Sequence, residues 1–180
     1  MTLLRLVAWP LLAALLTGCA AAPKRNAAAN GDSLSGRLSV RVESIDGAAA
    51  RSMSAAFELQ GSAENGRLDL ASPLGTVLAQ ARWAPGRVVL TTPQGERRFT
   101  DLDALTREVL GESVPVAALF DWLRGRPWPG ASSKALVPAT EPGFQQLGWA
   151  ISLARFDEAW VDAKREQVPA VTVRARLDRP

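Results

Sequence analysis

The chain has 180 residues and a formal charge of +3, from 21 Lys and Arg against 18 Asp and Glu. The basic residues are scattered rather than clustered, which gives no footing for nucleic-acid binding. It holds no histidine and a single cysteine, so the usual general base, the commonest metal ligand, Ser-His-Asp chemistry and an internal disulfide are all missing. No GxxxxGK[ST] or GxGxxG run occurs, so nothing is built to hold a nucleotide. Asp101 and Asp103 lie close in sequence, but they read as the acidic first turn of a helix with Asp101 at its N-cap. Nothing here supports an enzyme or a bound cofactor.

The first segment has the layout of a secretory signal. Arg5 provides the positive start, Leu11 to Leu16 the apolar centre, and Thr17 and Gly18 the small residues before a cut. Residues 6–22 are too short, and too interrupted by Pro10 and Gly18, to read as a membrane-spanning helix. Leu16-Thr17-Gly18-Cys19 resembles the lipobox of bacterial lipoproteins. That resemblance implies removal of residues 1–18, a diacylglycerol on the Cys19 thiol and acylation of the new amine. Ala20, in place of the Asp that commonly retains such proteins in the inner membrane, implies transfer to the outer membrane. At ~0.8 kcal/mol per buried methylene, one long acyl chain contributes on the order of 10 kcal/mol and several make a permanent anchor. The mature chain of 162 residues loses only Arg5 among its charges, leaving +2. Residues 19–33 then form the lipidated start and a polar, Ala-rich tether, and residues 34–180 one domain with a core of its own.

From residue 34 the pattern has period two. Leu34, Leu38, Val40 and Val42 alternate with Ser35, Arg37, Ser39 and Arg41, and Met53, Ala55, Phe57 and Leu59 repeat the alternation. Shorter strands are expected over 66–71, 77–83, 87–91 and 96–100, joined by Ala84-Pro85-Gly86 and Pro93-Gln94-Gly95. Such spacing of turn residues marks an antiparallel meander, which twists towards a barrel. Asp101 opens a helix with Leu102, Leu105 and Val109 on one face, which stops at Gly111. A second helix is expected from Ser113 or Val114, with Pro115 in its first turn, Val116, Leu119, Phe120 and Leu123 on one face, and Gly125 at its end. Residues 126–143 read as a Pro-Gly-Ser loop around Trp128. Strand pattern returns at Trp149, Ile151 and Leu153 and again from Val171 to Leu177, while 156–167 suits either helix or hairpin.

In this order the pieces resemble the LolB family. Gly36-Arg37-Leu38-Ser39-Val40 and Leu68-Asp69-Leu70-Ala71-Ser72-Pro73-Leu74-Gly75 are followed by Val114-Pro115-Val116. Then come Trp122-Leu123-Arg124-Gly125-Arg126-Pro127 and Phe144-Gln145-Gln146-Leu147-Gly148-Trp149. Two departures stand near the end. There is no tyrosine after the Gly-Trp pair, and no aromatic-containing final strand to close the sheet. The resemblance implies an α+β fold: a curved antiparallel sheet forming an incomplete, half-open barrel, with short helices over its concave apolar face. It implies an outer-membrane receptor, a monomer facing the periplasm, that accepts acylated lipoproteins from a soluble LolA-like carrier. The clients pass into the outer-membrane lipid without ATP or covalent chemistry.

Two sets of site residues follow. Pro73-Leu74-Gly75 reads as a tight turn that holds Leu74 in water, and the resemblance makes Leu74 the residue that assists membrane insertion. Phe57, Leu59, Leu68, Leu70, Trp83, Leu90, Phe120, Leu123, Trp149 and Ile151 lie on apolar faces, as acyl-cavity lining or as plain core. Trp122 falls off the main stripe of its helix, facing either the next loop or the mouth. Arg124 and Arg126 are solvated charges or a contact for an acidic carrier. A lipoprotein-sensing or scaffolding module and a passive envelope lipoprotein stay open as alternatives, since one fold hosts several roles.

Overall fold

The computed structural model describes residues 33–44, 49–138 and 140–178, so Cys19 and most of the tether lie outside the described residues. Period-two segments become strands, and in β1, β2, β4 and β5 alternate residues are buried. β1 (Leu34–Val42), β2 (Arg51–Gly61), β3 (Gly66–Ala71), β4 (Val77–Ala84), β5 (Arg87–Thr92) and β6 (Gly95–Phe99) form a continuous meander. After α1 (Leu102–Leu110) and α2 (Val116–Trp122) come β7 (Ser133–Ala135), β8 (Gly143–Gln146), β9 (Trp149–Ser152), β10 (Trp160–Arg165) and β11 (Val171–Leu177). All join one eleven-stranded antiparallel sheet in the order β6-β5-β4-β3-β2-β1-β11-β10-β9-β8-β7. The sheet does not close, and with the two helices on its apolar face it is an incomplete barrel.

The last strand therefore lies in the middle of the sheet. β11 pairs with β1 over seven residues, from Gly36 opposite Leu177 to Val42 opposite Val171. Gly36 makes that seam possible, because a Cβ there would collide with the Arg176 carbonyl. The edges are instead β6 and the three-residue β7.

α1 has the expected ends. The Asp101 carboxylate accepts the Ala104 N–H at 2.7 Å, and Gly111, at φ 83°, donates to the Arg107 carbonyl. α2 differs. It begins at Val116 rather than at Ser113 or Val114, with Pro115 just before it, and ends at Trp122. The reason is local: the Val114 N–H is held by the Thr106 hydroxyl of α1 at 3.1 Å. Beyond Trp122 the chain tightens into i→i+3 bonds, Arg124 to Asp121 and Gly125 to Trp122, before Gly125 turns it at φ 75°.

Three further differences concern the second half. The loop over 126–143 contains β7, and β8 precedes the expected strand at Trp149. The segment 156–167 is neither a helix nor a simple hairpin, but one 3₁₀ turn (Phe156–Glu158) leading into β10. β8 and β9 are joined by the two-residue turn Leu147-Gly148, both at positive φ (52° and 78°) as the twist of a tight hairpin requires.

Candidate functional site

An apolar cavity of about 300 Å³ lies between the helices and the first half of the sheet. The period-two strands supply one wall: Leu38 and Val40 from β1, Met53 from β2, Leu68 and Leu70 from β3, Ala79 from β4 and Leu90 from β5. The opposite wall is the apolar face of α1, with Leu102, Leu105 and Val109, continued by Val114, Val116 and Leu119. The lining holds two hydroxyls. That of Thr106 is already engaged, accepting from the Val114 N–H and donating to the Asp103 carbonyl. Such a space offers a guest dispersion contacts and little polar recognition, which suits a hydrocarbon chain.

The cavity reaches solvent beside Leu78 and Val109, which line it yet are 41% and 43% exposed. Leu74 stands four residues before Leu78 on the connection that feeds β4. Its loop is tied at the base: Gly75 N–H donates to Ser72 O at 2.9 Å, Thr76 N–H to the Ser72 hydroxyl, and Ser72 N–H to Thr76 O. Gly75 takes φ 83°, a geometry a larger residue would strain. The Leu74 side chain, 95% exposed, packs on nothing. A braced loop thus holds an isobutyl group in water, four residues along the chain from Leu78 at the cavity mouth.

The ten apolar candidates divide. Leu68, Leu70 and Leu90 line the cavity. Phe57, Leu59, Trp83, Phe120 and Leu123 are buried core, with the Trp83 and Phe120 rings meeting edge to face at 5.9 Å. Trp149 and Ile151 are buried in the other half of the sheet. Most of the lining, including Leu38, Val40, Met53 and the α1 face, sat among residues legible only as apolar stripes. The cavity lining itself holds no aromatic ring, although β2, β4 and α2 carry rings that pack into the core beside it, and that division becomes visible only once the pairing is known.

Trp122 faces the neighbouring hairpin and not the mouth. Its indole N–H donates to Gln146 Oε1 at 2.7 Å, and its ring lies 6.1 Å from that of Trp149. Gln146 also accepts the Trp128 N–H and donates to the carbonyls of Trp128 and Ala131. Arg126 pairs with Asp121 at 2.6 Å, and Arg124 donates to the Phe120 carbonyl. Both arginines are thus engaged with their own fold.

A family model described as outer membrane lipoprotein LolB matches residues 33–176. The chain belongs to the LolB family. A relative from Bordetella pertussis (strain Tohama I), called outer-membrane lipoprotein LolB, is 38% identical over 153 residues, 82% of this chain and 76% of its own length. The protein of that name from Ralstonia nicotianae (strain GMI1000) is 32% identical over 178 residues, 93% of this chain and 83% of its own. That from Cupriavidus metallidurans (strain CH34) is 34% identical over 125 residues, 68% of this chain and 59% of its own. Membership makes the chain an outer-membrane lipoprotein with a role in lipoprotein reception and insertion. The two departures noted near the chain end do not remove it from the family.

Proposed function

We propose that the protein takes acylated lipoproteins from a soluble, LolA-like periplasmic carrier and inserts them into the outer membrane by non-covalent transfer, while lipid on its own Cys19 anchors it there. The observation that carries this reading is an apolar cavity whose opening, at Leu78, lies four residues along the chain from the exposed Leu74. Carrying acyl chains through water bare costs tens of kcal/mol at ~0.8 kcal/mol per methylene, so a client moves only between apolar sites. Each site need only bind the chains more favourably than the last, and no nucleotide is required. At about 300 Å³ the space is at the small end of ligand pockets, so a multiply acylated client requires the helices to move outward from the sheet. Leu74 then enters the bilayer surface at the mouth and gives the chains an apolar route into it.

The experiment is transfer from loaded carrier, followed by release into vesicles, with Leu74→Glu against the parent. The variant changes stability by less than about 0.5 kcal/mol, since the side chain packs on nothing. It accepts client normally and delivers it roughly tenfold more slowly or worse, as a charge at the tip opposes entry into the bilayer surface. Normal delivery by the variant would remove Leu74 from the mechanism. Failure of the parent to accept any client would remove the receptor reading itself.

A further inference from the structure

The face of the sheet turned away from the cavity carries a second site, set by register. Directly paired residues on neighbouring strands project to the same side. One row therefore runs Ala71, Ala56, Arg37, Arg176 and Trp160 across β3, β2, β1, β11 and β10. The next runs Ser54, Ser39, Arg174 and Asp162. Because Leu38 and Val40 line the cavity, Arg37 and Ser39 point outward. The small side chains in the middle of these rows leave a groove of about 220 Å³, bordered by Arg37, Arg174, Trp160 and Pro73 and containing Ser39 and Ser54. Pro73 immediately precedes Leu74, so the groove runs to the base of the exposed loop.

The charges there are arranged against the stability of the sheet. Arg37 and Arg176 are directly opposed across β1 and β11, where like charges destabilise the pairing. Among the described residues neither is in an ion pair, and Arg176 lies over the Trp160 ring at 5.8 Å, with Arg155 over the same ring at 4.9 Å. Asp162 is the carboxylate in contact, shared by Arg155 at 3.2 Å and Arg174 at 2.9 Å; the latter is an ion pair without hydrogen-bond geometry. The flanking Glu58 and Asp178 are engaged elsewhere, accepting from Gln60 and Ser35. Arg37 and Arg174 border the groove, while Arg176 and Arg155 lie over the Trp160 ring at its edge; with Ser39 and Ser54 between them, these guanidiniums match a phosphate in charge and in donor geometry.

We propose that this groove binds the phosphate of an anionic phospholipid headgroup and so seats the domain on the bilayer beside the Leu74 tip. Tryptophan and arginine are both at home at the headgroup level, where the ring is half wet and the guanidinium meets phosphate. The inference rests on Leu74 as the membrane-facing tip, and the two are separable by experiment.

The test uses the protein with Cys19→Ala, made without its acyl anchor; the described sheet and core are complete without the anchor. Binding is measured by co-sedimentation with phosphatidylethanolamine vesicles, with and without phosphatidylglycerol. Arg37→Gln with Arg176→Gln weakens binding to the anionic vesicles on the order of ten- to thirtyfold at low salt, with little change in thermal stability, since relief of the opposed charges offsets loss of the Arg176–Trp160 contact. Arg82→Gln with Arg87→Gln, which removes the same charge elsewhere, changes binding by less than about threefold. Equal losses in the two pairs, or none in the first, would overturn the site. Displacement by micromolar glycerol phosphate would make it a site for soluble phosphates and overturn the lipid assignment; no displacement at millimolar concentrations keeps the phosphate on the bilayer. Normal vesicle binding with failed uptake from the carrier would give this face to the carrier and also overturn it. Should Leu74→Glu leave vesicle binding unchanged while the arginine pair reduces it, the tip reading fails and the groove stands.

Discussion

Under β8 to β11 the interior is filled: Trp122 is 1% exposed, Ile151 0%, and Ala159 and Ala163 fit between larger neighbours. Under β1 to β5 the same kinds of apolar strand face α1 across a gap of about 300 Å³, and Leu38, Met53, Leu68 and Leu70 stay half-buried around it. The halves do not differ in hydrophobicity. In the filled half, the Trp122 and Trp149 rings meet at 6.1 Å, and Gln146 ties the Trp128 loop down through three hydrogen bonds and holds the Trp122 indole through a fourth. In the hollow half the rings of Phe57, Trp83 and Phe120 are packed into the core beside the gap, and the gap itself is lined mainly by leucine and valine, with no aromatic ring. A cavity is therefore a property of how facing side chains complement one another, and is lost or gained without any change in the apolar pattern.

The largest way to break this contrast is Gln146→Leu, which takes their partner from the Trp128 N–H, the Ala131 carbonyl and the Trp122 indole N–H, and leaves the Trp128 carbonyl with the Ala131 N–H alone. Unsatisfied groups cost about 1–3 kcal/mol each, and partial rewetting reduces the sum to roughly 3–6 kcal/mol, read by urea or thermal unfolding. Next comes a matched pair. Ile151→Ala opens a new void in the filled half and costs roughly 3–4 kcal/mol, whereas Leu70→Ala only enlarges an existing one and costs about 1–2 kcal/mol. Equal losses at the two positions would mean that the hollow half is packed in solution. The converse is Ala79→Leu, which fills the cavity from β4. Stability changes by about 1 kcal/mol or less, while acceptance of acylated client from the carrier falls roughly tenfold as guest volume is lost. Undiminished acceptance would show that the client binds elsewhere.

The contrast also explains what could be read from the chain before its structure. The first six strands and α1 follow from alternation and turn residues that act locally, and Leu74 follows from the Pro-Leu-Gly turn. β7 was illegible because its three residues are all exposed. β8 was illegible because its buried positions are Phe144 and a glutamine, whose burial depends on backbone groups far along the chain. The Leu147-Gly148 turn has a leucine at its first left-handed position, where Asn or Gly is the usual signal. α2 begins two to three residues later than its sequence suggests because the Thr106 hydroxyl holds the Val114 N–H. As for the lining, a leucine facing a void and a leucine facing a ring have the same neighbours in sequence.

The smallest effect concerns how the two helices are held. α1, over the hollow half, depends on its own cap, whereas α2 has no side-chain cap and is fixed by buried Ala118, Phe120 and Trp122. The Asp101 carboxyl is held below the usual range, first by the Ala104 N–H and then by the Thr100 hydroxyl at 2.9 Å. A carboxyl whose folded value is depressed stabilises the fold fully above its unfolded value, about 3.9 for aspartate, and that contribution is lost as pH falls through the folded value. As pH falls through that folded value, the amides of α1 should therefore gain hydrogen exchange, relative to those of α2, beyond what the change in intrinsic rate gives. Asp101→Asn keeps a capping oxygen but cannot titrate, so its α1 loses that pH dependence. Acid loosening that is equal in the two helices, or that persists in the variant, would show that the lid over the cavity is not held by its cap.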